Sequence, residues 1–324
     1  MTRQTRLLTQ SVFISCIVPV YNEEANILPF FSALSEKLSQ LTQQFEIIAI
    51  NDGSQDNSQQ MLASLHATKN LKVLEFSRNF GKEIALTAGL DHAQGEVAII
   101  MDADFQHPFD TLDLFLKEWA EGYDMVYGLR KNRHDETVMK RLFAKIFYKL
   151  MSSISQADIP PNAGDFRLLD KKLITALKAS KERVRFMKGL YAWAGYRSKG
   201  VYFAVQDRMA GQSSWRFKNL FNLALTGIVS FSDTPLRIWS IIGCLISLLG
   251  FVCILYTIID TLIFGVKVPG YATLLITVVF FGGIQLLSIG ILGEYIARIF
   301  NEVKQRPLYL LNSFLGFDEK EKRD

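Results

Sequence analysis

The chain has 324 residues, 49% of them hydrophobic, with 36 Lys and Arg against 32 Asp and Glu for a formal charge of +4. That length allows roughly two domains, and a mean hydropathy of +0.15 is high for a soluble enzyme, so membrane spans are expected. The charge is too small to make nucleic acid an expected partner, and its meaning lies in where the basic residues cluster, beside apolar segments.

Met1 to Gln10 is polar and basic and runs into an apolar β-rich stretch without the pattern of a cleavable leader. Strand-like runs then appear at Val12 to Val20, Glu46 to Asn51, Leu71 to Phe76, Glu96 to Met101 and Asp124 to Tyr127. Helical spacing separates them: Ile27, Phe31, Leu34, Leu38 and Leu41 after the first, and Leu112, Phe115, Leu116 and Trp119 after the fourth. The alternation predicts an α/β fold with a mostly parallel sheet flanked by helices, and in such sheets ligands bind outside the carboxyl ends of the strands. Polar loops stand at those ends, at Tyr21-Asn22-Glu23, Asp52-Gly53-Ser54 and Asp102 to His107.

Asp102 and Asp104 lie one residue apart where the fourth strand ends, so period two leans both carboxylates to one side. Hard oxygen ligands suit Mg²⁺ or Mn²⁺, which keep positions open for substrate phosphates; the alternative is a solvated Asp turn. His107 reads as a turn residue before Pro108 or as an added nitrogen ligand, and Lys82 as a solvent-facing lysine or a donor contact. Neither a G-x-G-x-x-G after the first strand nor a P-loop is present, which disfavours dehydrogenase and ATPase readings.

Past Arg130, Val138, Leu142, Ile146, Leu150 and Ile154 form an apolar stripe beside Lys140, Arg141, Lys145 and Lys149, a basic amphipathic helix suited to lipid headgroups. Trp215 to Phe231 is a second such candidate. From Leu236 to Ile259 the only charge is Arg237, and Tyr271 to Gly293 has none; each stretch is about 23 residues, enough to cross a bilayer. Their connector offers only Lys267 as a base while both outer flanks are basic, which predicts that the bulk of the chain and both termini lie in the cytoplasm. Cys16, Cys244 and Cys253 read as buried small hydrophobes without a function. Gly282, Gly283, Ser288 and Gly290 leave room for close helix packing in a homo-oligomer.

In this order, Pro19-Val20-Tyr21-Asn22-Glu23, Asn51-Asp52-Gly53-Ser54 and Asp102-Ala103-Asp104 resemble the inverting family 2 glycosyltransferases. Phe105-Gln106-His107-Pro108, Gly164-Asp165-Phe166-Arg167-Leu168 and Arg208-x-x-Gly211-x-Ser213 narrow the resemblance to polyprenyl-phosphate glycosyltransferases, similar to dolichol-phosphate-mannose synthases. The two C-terminal spans look most like the bacterial bactoprenol glucosyltransferase branch. The resemblance implies a GT-A-like nucleotide-sugar-binding core over 1–130, an acceptor-side region with interfacial helices over 131–234, two transmembrane helices over 235–300 and a cytoplasmic tail over 301–324. It implies a nucleotide-sugar donor, by branch UDP-glucose, a polyprenyl-phosphate acceptor in the bilayer, by branch undecaprenyl phosphate, and Mg²⁺ or Mn²⁺, in the bacterial cytoplasmic membrane.

On matching positions the resemblance implies a nucleoside pocket at Pro19, Tyr21, Glu23 and Asp52, and a metal and diphosphate site at Asp102, Asp104 and Gln106. Arg130 and Arg208 are expected near phosphate, with Arg167 and Ser213 also touching substrate. Arg141 and Lys145 are expected to draw in the anionic lipid. Asp165 resembles an acceptor-side carboxylate, either a general base or an orienting anion; otherwise it is a loop Asp paired with Arg167. Two alternatives share the first three motifs: a processive polysaccharide synthase, disfavoured by two spans and no Q-x-x-R-W segment, and an inactive membrane-anchored scaffold.

Overall fold

The computed structural model describes residues 6, 11–66, 70–131, 163–183, 185–204, 234–265 and 270–317. Among these, eight strands form one sheet: β1 (Ile14–Val20), β2 (Phe45–Asn51), β3 (Leu71–Phe76), β4 (Val97–Ile100), β5 (Met125–Arg130), β6 (Ala163–Asp170), β7 (Ser198–Phe203) and β8 (Leu311–Leu315). Their order is β7-β5-β6-β4-β1-β2-β3-β8. Four of the seven pairings are parallel (β1 with β2 and β4, β2 with β3, β5 with β7) and three antiparallel (β6 with β4 and β5, β8 with β3). The sheet is therefore mostly parallel, as the alternation predicts, but more mixed than five parallel strands would be.

The helices of this unit are α1 (Glu24–Leu41), α2 (Ser58–His66), α3 (Lys82–His92), α4 (Thr111–Ala120), α5 (Lys171–Ala179) and α6 (Met187–Trp193). α1 buries Ile27, Phe31, Leu34 and Leu38 and α4 buries Leu112, Phe115, Leu116 and Trp119, the two stripes read from spacing. They join Val18, Ile47, Val73, Ile99 and Phe166 in one core, each such side chain contributing roughly 1.5–3 kcal/mol by leaving water. Cys16 lies fully buried in it, and burial pushes its thiol far up.

Three strands escaped the sequence pattern. β6 is Ala-Gly-Asp-Phe-Arg-Leu-Leu-Asp, whose buried charges hide its alternation, so Asp165 sits in a strand rather than a loop. β7 carries little apolar signal. β8 belongs to the stretch read as a tail; Leu311–Leu315 instead closes the β3 edge, where Tyr309 stacks on Phe76 and donates to Asp91 (3.2 Å).

The chain divides into two compact units, one holding this sheet with the segment from Arg306 onward and the other Leu225–Gln305. The second contains α7 (Thr234–Phe264) and α8 (Tyr271–Val303), of 31 and 33 residues. Both predicted spans fall inside these helices. Among the described residues, Phe280–Val303 is long and apolar enough to cross a membrane, and the Trp239 indole donates to Ser288 between the helices.

Candidate active site

The loops at the carboxyl ends of β1, β2 and β3 are tied to one another. Asn22 donates its backbone N–H to Ser54 Oγ (3.0 Å), and its side-chain oxygen accepts from Gln55 N–H (2.8 Å). Ser58 Oγ accepts from Glu23 N–H, and Glu23's carboxylate accepts from Asn26 (2.6 Å) at the start of α1. Asp52 accepts the N–H groups of Phe80 (2.7 Å) and Gly81 (3.0 Å), which fixes the loop leading into α3. Burial raises the Asp52 carboxyl, against the pull of those N–H groups and Arg78. Gly53 has φ +66°, and a Cβ there would stand 2.4 Å from the Arg78 carbonyl carbon, so only glycine fits the turn. Glu23 and Asp52 thus set the shape of this corner, while Tyr21 is 45% exposed beside it and Pro19 half-buried.

At the next strand ends the charges converge. Extending the antiparallel register in which Ile100 faces Arg167 brings Asp102 opposite Asp165. Lys82, the first residue of α3, bridges them, with Nζ 2.5 Å from Asp102 Oδ1 and 2.9 Å from Asp165 Oδ2. Burial alone would raise both carboxyls; Lys82, with His107 at Asp102 and Lys188 at Asp165, holds both below the ordinary carboxylate value, Asp165 furthest. Lys82 is therefore paired to both carboxylates while 39% of its side chain still faces solvent. Asp165 pairs with Lys82, not with Arg167.

Asp104 is buried and its Oδ1 accepts Gln106 N–H (3.1 Å) across a turn in which Phe105 takes φ +62°. His107 Nδ1 accepts Asp102 N–H (3.2 Å) and the ring stacks on Phe166 at 4.5 Å. Burial lowers its imidazole, so a neutral ring serves the turn with that nitrogen already used. Arg130 ends β5, exposed. Arg167 is 1% exposed, with Nε donating to Gly164 O (3.0 Å) and its guanidinium against the rings of Tyr191 (4.5 Å) and Tyr127 (5.6 Å). Burial lowers Arg167, opposed by Tyr191 and Asp165.

Glu83 and Tyr191 were not foreseen. Glu83 accepts Met187 N–H (2.9 Å), the first amide of α6, and burial beside Asp165 pushes its carboxyl up to about 7. A Gly-Lys-Glu opening a helix after a strand was the available signal. Arg141, Lys145, Arg208 and Ser213, with both amphipathic-helix candidates, lie outside the described residues. A cavity of about 660 Å³ opens at the opposite, amino edge of the sheet, lined by Phe13, Phe45, Glu46 and Lys72, away from these charges. The carboxyl edge, where these charges gather, is the candidate site.

The model of glycosyl transferase family 2 matches residues 15–177, and that of the GtrB C-terminal hairpin matches 234–299. The chain belongs to glycosyl transferase family 2. The transferase is 45% identical to an uncharacterized glycosyltransferase of Synechocystis, over 95% of this chain and 97% of that one. It is 44% identical to the bactoprenol glucosyl transferase of Shigella phage SfII, over 92% and 97%. A putative glycosyltransferase of Bacillus subtilis, CsbB, is 43% identical over 92% and 91%. Among solved structures, Mycobacterium tuberculosis glucosyl-3-phosphoglycerate synthase with Mn²⁺, UDP and phosphoglyceric acid is 18% identical, with a TM-score of 0.46 over 67% and 76%.

Proposed function

We propose that the transferase moves glucose from UDP-glucose to undecaprenyl phosphate at the cytoplasmic face of a bacterial membrane, inverting the anomeric centre. The observation that carries this reading is the Asp102–Lys82–Asp165 cluster at the carboxyl edge of the sheet, in a chain that also carries a matched membrane hairpin. Relatives named bactoprenol glucosyl transferase match over nearly their whole length, which supports the glucose and the lipid.

In this reading Pro19, Tyr21, Glu23 and Asp52 form the nucleoside corner, with Tyr21 offering an exposed ring to the base. Arg130 and, from the sequence, Arg208 and Ser213 contact the donor phosphates. Asp102, Asp104 and the Gln106 amide oxygen would hold Mg²⁺ or Mn²⁺. The donor set fits: it is hard oxygen, and Asp102 already attracts a cation, the Lys82 ammonium. Among the described residues no group of three or more His, Cys, Asp and Glu gathers, so substrate phosphates would have to complete the ion's coordination. When bound, such an ion neutralises charge on the departing diphosphate.

The reaction forms a bond from the lipid phosphate oxygen to the anomeric carbon as the bond to the nucleoside diphosphate breaks. A phosphate monoester with a second pKa of about 6 is already a nucleophile near neutrality. Asp165, held strongly ionised by Lys82 and Lys188, is a weak base and acts as an orienting anion. β1 and β8 belong to one sheet, which supports placing both ends of the chain on the same side of the membrane, and the basic flanks of the hairpin support the cytoplasm as that side.

The test is transfer from labelled UDP-glucose to undecaprenyl phosphate by detergent-purified protein with Mg²⁺ or Mn²⁺, with the anomer read by NMR. A β-linked lipid monosaccharide is expected. A glucan would establish the processive alternative, and no turnover with any UDP- or GDP-hexose would establish the inactive scaffold.

A further inference from the structure

Period two puts Asp165 and Arg167 on one face of β6, and Tyr191 of α6 lies against the Arg167 guanidinium at 4.5 Å. Each holds a buried polar atom without a hydrogen-bond partner: Asp165 Oδ1, Arg167 Nη2 and the Tyr191 hydroxyl. Arg167 and Tyr191 are 1% and 2% exposed, so water does not compensate them from the surface. Leaving such groups unmade is costly, and three in one cluster mark a place built for a group that arrives with substrate.

The chemistry of the three atoms specifies that group. Asp165 Oδ1 accepts only, Arg167 Nη2 donates only, and the tyrosine hydroxyl does either. A partner must therefore both donate and accept, as a hydroxyl does. A phosphate dianion accepts only, and Asp165 would repel it; a metal ion would face Arg167. Lys82, Arg167 and Lys188 face Asp102, Asp165 and Glu83, a near-even set of charges that favours a neutral ligand. Asp165 is the most open of the three, its side chain 19% exposed although Oδ1 itself is covered, so a hydroxyl reaches the cluster only as the bound sugar displaces its cover.

We propose that Asp165, Arg167 and Tyr191 form the subsite that reads one ring hydroxyl of the donor's sugar, which makes Tyr191 a specificity-determining residue. This rests on the proposed sugar transfer. The arrangement explains why a guanidinium is clamped between two tyrosine rings: the clamp aims one N–H while the charge stays buried.

The experiment compares wild type and Tyr191→Phe with UDP-glucose and its 2-, 3-, 4- and 6-deoxy analogues, by equilibrium binding and by kcat/KM. Tyr191→Phe removes only the hydroxyl, and its melting temperature checks the fold. Loss of about 10- to 100-fold is expected with UDP-glucose, and no further loss with the one analogue that lacks the hydroxyl being read. The same fold loss on every donor would overturn the subsite, as would an effect confined to the lipid KM, which points to a protonated phosphate instead. If wild type binds the donors and only this pattern fails, the transfer reading survives; if wild type binds no nucleotide hexose, both fall.

Discussion

Asp104 is buried in the turn that closes β4, where its carboxylate accepts Gln106 N–H. Replacing it with Asn keeps an oxygen for that contact and removes the charge. Asp104→Asn should abolish transfer while leaving the melting temperature nearly unchanged; activity is measured across Mg²⁺ and Mn²⁺ concentrations, and wild-type rates without excess metal would remove Asp104 from the metal site. Asp165 gives a different signature. Its carboxyl is held far below the ordinary range, so it stays ionised across neutral and alkaline pH. Asp165→Asn should lower kcat by roughly 100-fold or more with little change in donor binding, and the ratio of wild-type to mutant rates should stay flat from about pH 6 to 9. Convergence of the two rates at high pH would make Asp165 a base. That Asp52 and Asp102 follow strand ends was legible because the apolar runs of β2 and β4 stop at short polar loops. Lys82 was not, since a lysine's sequence context does not say that two carboxylates from β4 and β6 will meet it.

At the scale of elements, α3 and α6 meet through Glu83, whose carboxylate serves as the cap that Phe186 cannot supply to α6. Its carboxyl is raised from 4.5 to about 7, so the folded protein keeps this proton where the unfolded chain has lost it. The contribution is therefore destabilising: stability falls as pH rises from about 4.5 through about 7 and the full cost remains above that. Glu83→Gln keeps an acceptor for Met187 N–H and should raise the melting temperature at pH 8 but not near pH 4, measured by thermal unfolding across that range. A destabilised mutant at pH 8 would contradict this. For the amphipathic helix read over Val138 to Ile154, double replacement of Arg141 and Lys145 by Ala should raise the acceptor KM several-fold and leave the UDP-glucose KM alone. The opposite pattern would move that helix away from the acceptor. Helices α1 and α4 were readable because one face of each carries the whole apolar load; β6 was not, because Asp165 and Arg167 replace apolar residues on a buried face for chemical reasons.

For the whole molecule, composition foretold a membrane-associated α/β chain, and the family hairpin accounts for the apolar excess. What composition could not foretell is that residues after the hairpin complete the sheet, because five residues of Leu-Asn-Ser-Phe-Leu become a strand only when β3 offers an edge. Phe314 and Phe317 pack near His92, and Lys72 lies over the Phe317 ring. Removing residues from Arg306 onward should cost roughly 3 kcal/mol or more of stability in the sheet unit, read by thermal unfolding, through lost aromatic burial and an open edge. An unchanged melting temperature would show the strand to be dispensable. The order of synthesis adds a constraint. On the ribosome β1 to β7 emerge first, then both long helices, and only then β8, so the edge of β3 stays unpaired until the hairpin has been made. Synthesis of the hairpin therefore precedes closure of the sheet, and a nascent chain delayed at that step carries an exposed strand edge open to aggregation.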